Sequence, residues 1–230
     1  MTVDRIHRDL LIETIDQYLG EKINAFAFDE AIHDIRKKTS DATVHEIVDI
    51  LYCFYDDFED HPVVVNRVGW NYIQRLRLIL STDASLTASK QRIWTATQLI
   101  AATAVLAFAA IAYSTGVGAH LWLVAILLGP LSIGLHAWRE RLAKRYYDPD
   151  MTLYPFNSLA QILWVGRDAK GFRKERYPTG LESRRVRSRS SAFVGYCQMY
   201  VCWVMYSPAS LVVQMLPVSI PTRRVVLSPR

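Results

Sequence analysis

Residues 93–138, IWTATQLIAATAVLAFAAIAYSTGVGAHLWLVAILLGPLSIGLHAW, contain no Lys, Arg, Asp or Glu. The run divides at Thr115-Gly116-Val117-Gly118 into Ile93–Ser114 and Ala119–Trp138, which are 22 and 20 residues long. At about 1.5 Å of rise per residue, each half as a helix matches the roughly 30 Å hydrocarbon core of a bilayer. Trp94 and Trp138 stand at the outer flanks and Tyr113 and Trp122 beside the turn, where interfacial aromatics belong. The reading is a transmembrane helical hairpin. Lys90 and Arg92 precede it and Arg139, Arg141, Lys144 and Arg145 follow it, while the turn is uncharged. By the positive-inside rule both flanks face the cytoplasm, and these basic residues meet lipid headgroups. No signal-like apolar core occurs in residues 1–60, so the first span is expected to be the targeting element and to be retained.

Outward from the hairpin, charge separates the 230-residue chain into unlike halves. Residues 1–60 hold 15 acidic and 6 basic residues, a balance of −9; residues 61–230 hold 7 and 21, a balance of +14. Basic residues beside a membrane are drawn to anionic lipid at about 1 kcal/mol each. Without aromatic–basic interleaving or a recognisable binding module, direct nucleic-acid binding is not expected. Cys53, Cys197 and Cys202 are odd in number and lack metal-ligand spacing, so neither a disulfide framework nor a zinc site is expected.

The expected class is an all-α membrane protein with five regions: a cytoplasmic acidic four-helix domain (1–82), a linker (83–92), the hairpin (93–138), a basic juxtamembrane region (139–189) and a final apolar segment with a basic tail (190–230). In the first region apolar residues recur at helical period. Ile6, Leu10, Leu11, Ile15, Tyr18 and Leu19 mark a helix over Asp4–Leu19, stopped by Gly20. A second covers Phe28–Lys37. A third, capped by Asp41 or Thr43, runs to about Phe58, and a fourth runs from an Asn66 cap to about Leu80. A core of this size is marginal alone, so docking on a membrane or partner is expected.

Within the first span Thr103, Ala107, Ala110 and Ser114 form a small-residue ridge, suited to packing on the second span or to self-assembly. Gly129-Pro130 is expected to kink the second span. Neither span has an ionisable residue at mid-depth, which disfavours a transport pathway or proton relay. Phe156–Val165 reads as an interfacial amphipathic helix, and the basic stretch that follows it from Arg167 to Arg189, including Arg184, Arg185, Arg187 and Arg189, as a headgroup-binding stretch. Ser190–Leu216 is uncharged over 27 residues, but Arg189 precedes it, Arg223 and Arg224 follow it, and Pro208 interrupts it. That charge symmetry favours two interfacial or re-entrant helices over a third crossing.

Asp56-Asp57-Phe58-Glu59-Asp60-His61 is the densest polar cluster. It contains a DDxxD spacing of the kind that holds magnesium diphosphate, but no second acidic motif accompanies it. Pairing with Arg67, Arg75 and Arg77 inside the domain, or contact with a basic protein partner, is the alternative use. His45-Glu46 opens like HExxH, but Asp49 stands where the second histidine is required. No P-loop, dinucleotide fingerprint or nucleophile elbow occurs, and His120 and His136 read as interfacial polar residues. No metal, cofactor or enzymatic activity is expected.

Leu51-Tyr52, Tyr55-Asp56-Asp57, Asp60-His61, Trp70, Arg75-Leu76, Leu80-Ser81 and Asp83 resemble a helical domain of small bacterial proteins. The layout of head, two spans and basic tail is similar to that of two-transmembrane effectors of bacterial anti-phage systems, including those accompanying retrons. The resemblance implies an inner-membrane effector or toxin, regulated through the head and acting on the bilayer to stop growth. A membrane adaptor that recruits a cytoplasmic protein through the acidic head is the alternative. A lipid-modifying enzyme using the acidic cluster is the third.

Overall fold

A computed structural model describes residues 3–56, 58–146, 151–169 and 171–227. The chain is mostly helical with one small sheet. Its elements are α1 (Arg5–Leu19), α2 (Ala25–Lys38), α3 (Ala42–Leu51), α4 (Arg67–Leu80), β1 (Ser85–Ile93), α5 (Ala96–Thr115), α6 (His120–Tyr146), α7 (Leu159–Asp168), α8 (Arg189–Met205), α9 (Ser207–Gln214) and β2 (Val218–Val226). Short 3-10 turns occupy Tyr52–Phe54 and Thr179–Leu181. They form two compact units: Met1–Ser89, Pro149–Val186 and Thr222–Arg230 make the first, Lys90–Asp148 and Arg187–Pro221 the second.

The first unit differs from the expected four-helix domain. Asp41 caps α3 by accepting from the Thr43 N–H at 2.9 Å, and Asn66 caps α4 through the Gly69 N–H at 2.8 Å. α3 ends at Leu51, short of the expected Phe58, and passes into a 3-10 turn. Beyond α1–α4, the segment expected at the membrane surface is part of this core: Phe156, Val165, Ala169 and Leu181 are buried in the same apolar cluster as Leu11, Ile47 and Leu76. The segment wraps α4, which is why that helix is buried nearly all round. Arg75 donates to the carbonyls of Met151, Thr152 and Tyr154 at 2.7, 2.8 and 2.7 Å. Trp70 Nε1 donates to the Glu175 carbonyl at 3.2 Å, and the Glu175 N–H donates to Gln74 Oε1 at 3.1 Å.

The α1 stripe is also rotated from the expected one. Ile6 is 78% exposed and Leu10 43%, whereas Arg8 is 1% exposed. Arg8 turns inward because its partners are there. Its Nε donates to Asp41 Oδ2 at 2.7 Å, Nη2 to Asp41 Oδ1 at 3.2 Å, and Nη1 to the Thr82 and Ala84 carbonyls at 2.7 and 2.8 Å. Burial raises the Asp41 pKa, but the Arg8 guanidinium and the N–H groups of Asp4 and Thr43 outweigh it, leaving the carboxyl below its ordinary value.

The expected 83–92 linker is mostly strand. β1 pairs with β2, and Thr87 Oγ1 donates to the Arg224 carbonyl while Ser89 Oγ donates to that of Thr222. Residue 87 faces 224 and 89 faces 222, an antiparallel register. The expected basic tail therefore contributes to the first unit. Arg223 pairs with Glu46 on α3, and Gln161 of α7 donates to the Val225 carbonyl at 2.9 Å.

In the second unit α5 is 20 residues and α6 is 27; these two helices are long and apolar enough to cross a membrane. Gly116, at φ +75°, opens the turn between them, a conformation that L side chains rarely adopt. α6 runs past Trp138 through Arg139–Arg145 and includes Pro130 within its length. Ser190–Leu216 is broken at Tyr206 into α8 and α9, with Pro208 in the first turn of α9. α8 packs on α6, and α9 on α5 and α6.

Candidate functional site

The outer surface of the second unit is its most unusual chemical feature. Leu99, Leu106, Tyr113, Trp122, Leu123 and Leu127 on α5 and α6 are exposed, as are Phe193, Val194, Tyr196, Tyr200 and Val201 on α8. Single exposed apolar side chains are ordinary, but a helix surface built of them is suited to an apolar surrounding. Polar groups lie inside as well, beside the apolar Ala101, Ala104, Leu135 and Leu211. Gln214 Nε2 donates to the Ser132 carbonyl and Oγ, both at 3.0 Å, and Trp203 Nε1 donates to Ser132 Oγ at 3.0 Å. Ser207 Oγ donates to the Ala125 carbonyl at 2.5 Å. Interhelical bonds of this kind, with Ala101 and Ala104 allowing close approach on α5, are how helices associate where lipid gives no hydrophobic drive.

The small-residue ridge is not part of that packing. Thr103, Ala107, Ala110 and Ser114 are all exposed, and the contacting face of α5 is the one bearing Thr97, Ala101 and Ala104. Thr103 and Ser114 instead turn their hydroxyls back to the carbonyls of Leu99 and Ile111. Gly129, beside Pro130, does have a packing role: a Cβ there would lie 2.8 Å from Val204 Cγ1 on α8. Gly129→Ala is expected to destabilise the second unit by about 1–3 kcal/mol through overpacking. Gly134→Ala, where nothing lies within 4 Å of the added carbon, is expected to leave the unit intact. Thermal unfolding of both variants in detergent checks the contrast.

At one end of α6 a cavity of about 390 Å³ is lined by His136, Arg139, Glu140, Trp203 and Gln214 among others. His136 lies 3.5 Å from Glu140 and its ring centroid 4.5 Å from that of Trp203. Arg139, expected to meet lipid headgroups, donates to the Gln214 and Leu216 carbonyls and thereby satisfies the C-terminal end of α9. Arg141, Lys144 and Arg145 remain exposed. Of the other expected headgroup residues, Arg184 is corrected to an ion pair with Glu21 in the first unit. Arg185 is exposed, Arg187 is half-buried, and the Arg189 side chain lies outside the described residues.

In the first unit the acidic cluster has a structural task. Asp60 accepts from the Phe26 N–H at 3.1 Å and the Asn24 side-chain amide at 3.2 Å, while the His61 carbonyl accepts from the Ala25 N–H at 3.0 Å. Together they satisfy the start of α2, where Asn24 makes no side-chain cap of its own. His61 is buried; its Nδ1–H donates to the Pro62 carbonyl at 2.7 Å and its Nε2 accepts from the Asp56 N–H at 3.1 Å. Asp56 is half-buried and Glu59 exposed; Asp57 lies outside the described residues. The expected pairing with Arg77 is replaced, because Arg77 reaches Asp16 and Glu175. Sequence reasoning missed this second network, and also Arg8–Asp41, because neither pair is close in sequence. Among the described residues no group of three or more His, Cys, Asp or Glu is placed to hold a metal ion. No family model, curated protein or solved structure matches the chain.

Proposed function

We propose that the second unit is embedded in a bilayer, that the first is a cytoplasmic head, and that the protein is a membrane effector acting by bilayer perturbation without enzymatic chemistry. The observation that carries the membrane arrangement is the threading of the chain. The first unit is one folded body assembled from three segments, and the second is made of the two excursions between them. A folded body occupies one side of a membrane, so each excursion must leave and return on that side. For α5 and α6 this requires an even number of crossings, which agrees with basic residues at both ends and an uncharged turn. For α8 and α9 it disfavours a single third crossing and supports a re-entrant pair broken at Tyr206. The backbone at that break is tolerable at membrane depth because the Tyr206 N–H donates to the Cys202 carbonyl and the Tyr206 carbonyl accepts from the Ser210 N–H, both at 2.9 Å.

The effector role is supported by this layout and by the resemblance to anti-phage effectors of the bacterial inner membrane. Unpartnered apolar faces on α5 and α8, together with the outward Thr103–Ser114 ridge, offer surfaces for homo-oligomer assembly in the membrane. Induced expression in a bacterial host is expected to leave the chain in the membrane pellet after alkaline carbonate extraction and to collapse membrane potential. Membrane-bound protein in cells of normal potential and growth overturns the effector role while keeping the topology. The acidic balance of residues 1–60 favours a second reading, a membrane adaptor for a basic cytoplasmic protein. In that case a stoichiometric partner co-purifies from undamaged cells and is lost on charge reversal at Glu59.

A further inference from the structure

The first unit contains a cavity of about 430 Å³ lined by three cations and two carboxylates. It gathers Arg67 from the start of α4 with Lys174 and Arg176 from the segment that wraps it. Asn71, one turn along α4 from Arg67, adds an amide, and Thr179 a hydroxyl. All three cations are exposed side chains.

The backbone that delivers them is fixed. Glu175, between Lys174 and Arg176, is held through both of its main-chain polar groups: its N–H by Gln74 and its carbonyl by Trp70. Tyr177 donates to the Val65 carbonyl at 3.2 Å and sets its ring edge-on to Trp70, with centroids 5.9 Å apart. Of the two carboxylates lining the cavity, Glu175 is drawn to Arg77 at 3.4 Å, which leaves Glu182 as the main opposing charge. Cations that converge on a concave surface from a rigid frame focus their field on one anion, whereas scattered basic residues only screen.

We propose that the Arg67–Lys174–Arg176 cavity binds a phosphate-bearing anion, either the phosphate of a soluble metabolite or a phosphomonoester lipid headgroup. Phosphate is favoured over a single carboxylate because three cations with amide and hydroxyl donors match a multiply charged group with several acceptor oxygens. The site rests on the head alone and stands whether or not the second unit enters a bilayer.

The test uses the full chain in neutral detergent micelles. Inorganic pyrophosphate is titrated against thermal unfolding and calorimetry, with sodium chloride and sulfate at matched ionic strength. A short-chain phosphatidic acid in the same micelles forms the second arm. Saturable binding is expected in at least one arm, weakened about tenfold by Arg67→Ala and by Lys174→Ala, since a charge-assisted hydrogen bond is commonly worth a factor of ten or more. Glu182→Gln should tighten it, a change of sign that loss of folding cannot produce. Lys38→Ala, exposed at the end of α2 and away from the cavity, should leave it unchanged. Binding in the pyrophosphate arm identifies a soluble ligand, and binding confined to phosphatidic acid identifies the lipid. The proposal is overturned if neither arm saturates, if chloride and sulfate match the effect, or if the Arg67 and Lys174 variants bind as the parent does.

Discussion

Arg8→Ala is expected to unfold the head, or to leave it folded only at low temperature. The side chain is 1% exposed and makes four hydrogen bonds, two to the Asp41 carboxylate and two to the carbonyls that follow α4. Removing the guanidinium leaves a buried carboxylate without its counter-charge and two carbonyls without donors. Breaking a buried pair from one side costs about 3–5 kcal/mol, against a total stability of about 5–15 kcal/mol for a domain. Urea unfolding of the full chain in detergent, followed by hydrogen exchange at α1 and α3, measures the loss. A midpoint equal to that of the parent would show that the pair is not structural.

The same pair sets a pH dependence. The folded-state pKa of Asp41 lies below the ordinary 3.8, so the stability that it contributes is present above that value. It is lost as pH falls through 3.8 and then through the depressed folded value, where the carboxyl protonates and Arg8 is left buried without an anion. Asp41→Asn should abolish this part of the acid transition and lower stability at neutral pH to near the parent's acid-state value.

A chain truncated after Ser89 is expected to lose cooperative folding altogether, although it contains all four helices that periodicity marks in the head. Without 149–186, Arg75 loses three carbonyl acceptors, Trp70 and Gln74 lose their partners on Glu175, and the apolar contacts of Phe156, Val165 and Leu181 disappear. Each deep aliphatic or aromatic side chain uncovered costs about 1.5–3 kcal/mol, so uncovering several exceeds what a small core can spare. Residues 1–89 should show helical far-ultraviolet dichroism with a broad, non-cooperative thermal transition. A sharp transition at the temperature of the parent's head would mean that the wrapping segment is dispensable.

Local chemistry determined much of this protein. The uncharged 46-residue run dictates two apolar helices, divided where Gly116 and Gly118 stand two residues apart. Asp41 and Asn66 act as caps because each has a short acceptor side chain beside an unsatisfied N–H. Pro208 breaks the last apolar run because it has no N–H to give. Interactions that span many residues in sequence left no such mark. β1, SLTASKQRI, is mostly polar, with Leu86 and Ala88 giving only a short apolar alternation, and its strand form comes from a partner more than a hundred residues away. Asp60 was visible as part of an acidic cluster, but that it would close α2 depended on the loop returning to Phe26. The choice of the Thr97–Ala104 face of α5 over the Thr103–Ser114 ridge was likewise made by where α9 packs. Only the tertiary structure could decide that the segment carrying a basic stretch folds onto α4 as part of the first unit, because a side chain's partner is set by what the fold brings within reach, not by the charge it carries.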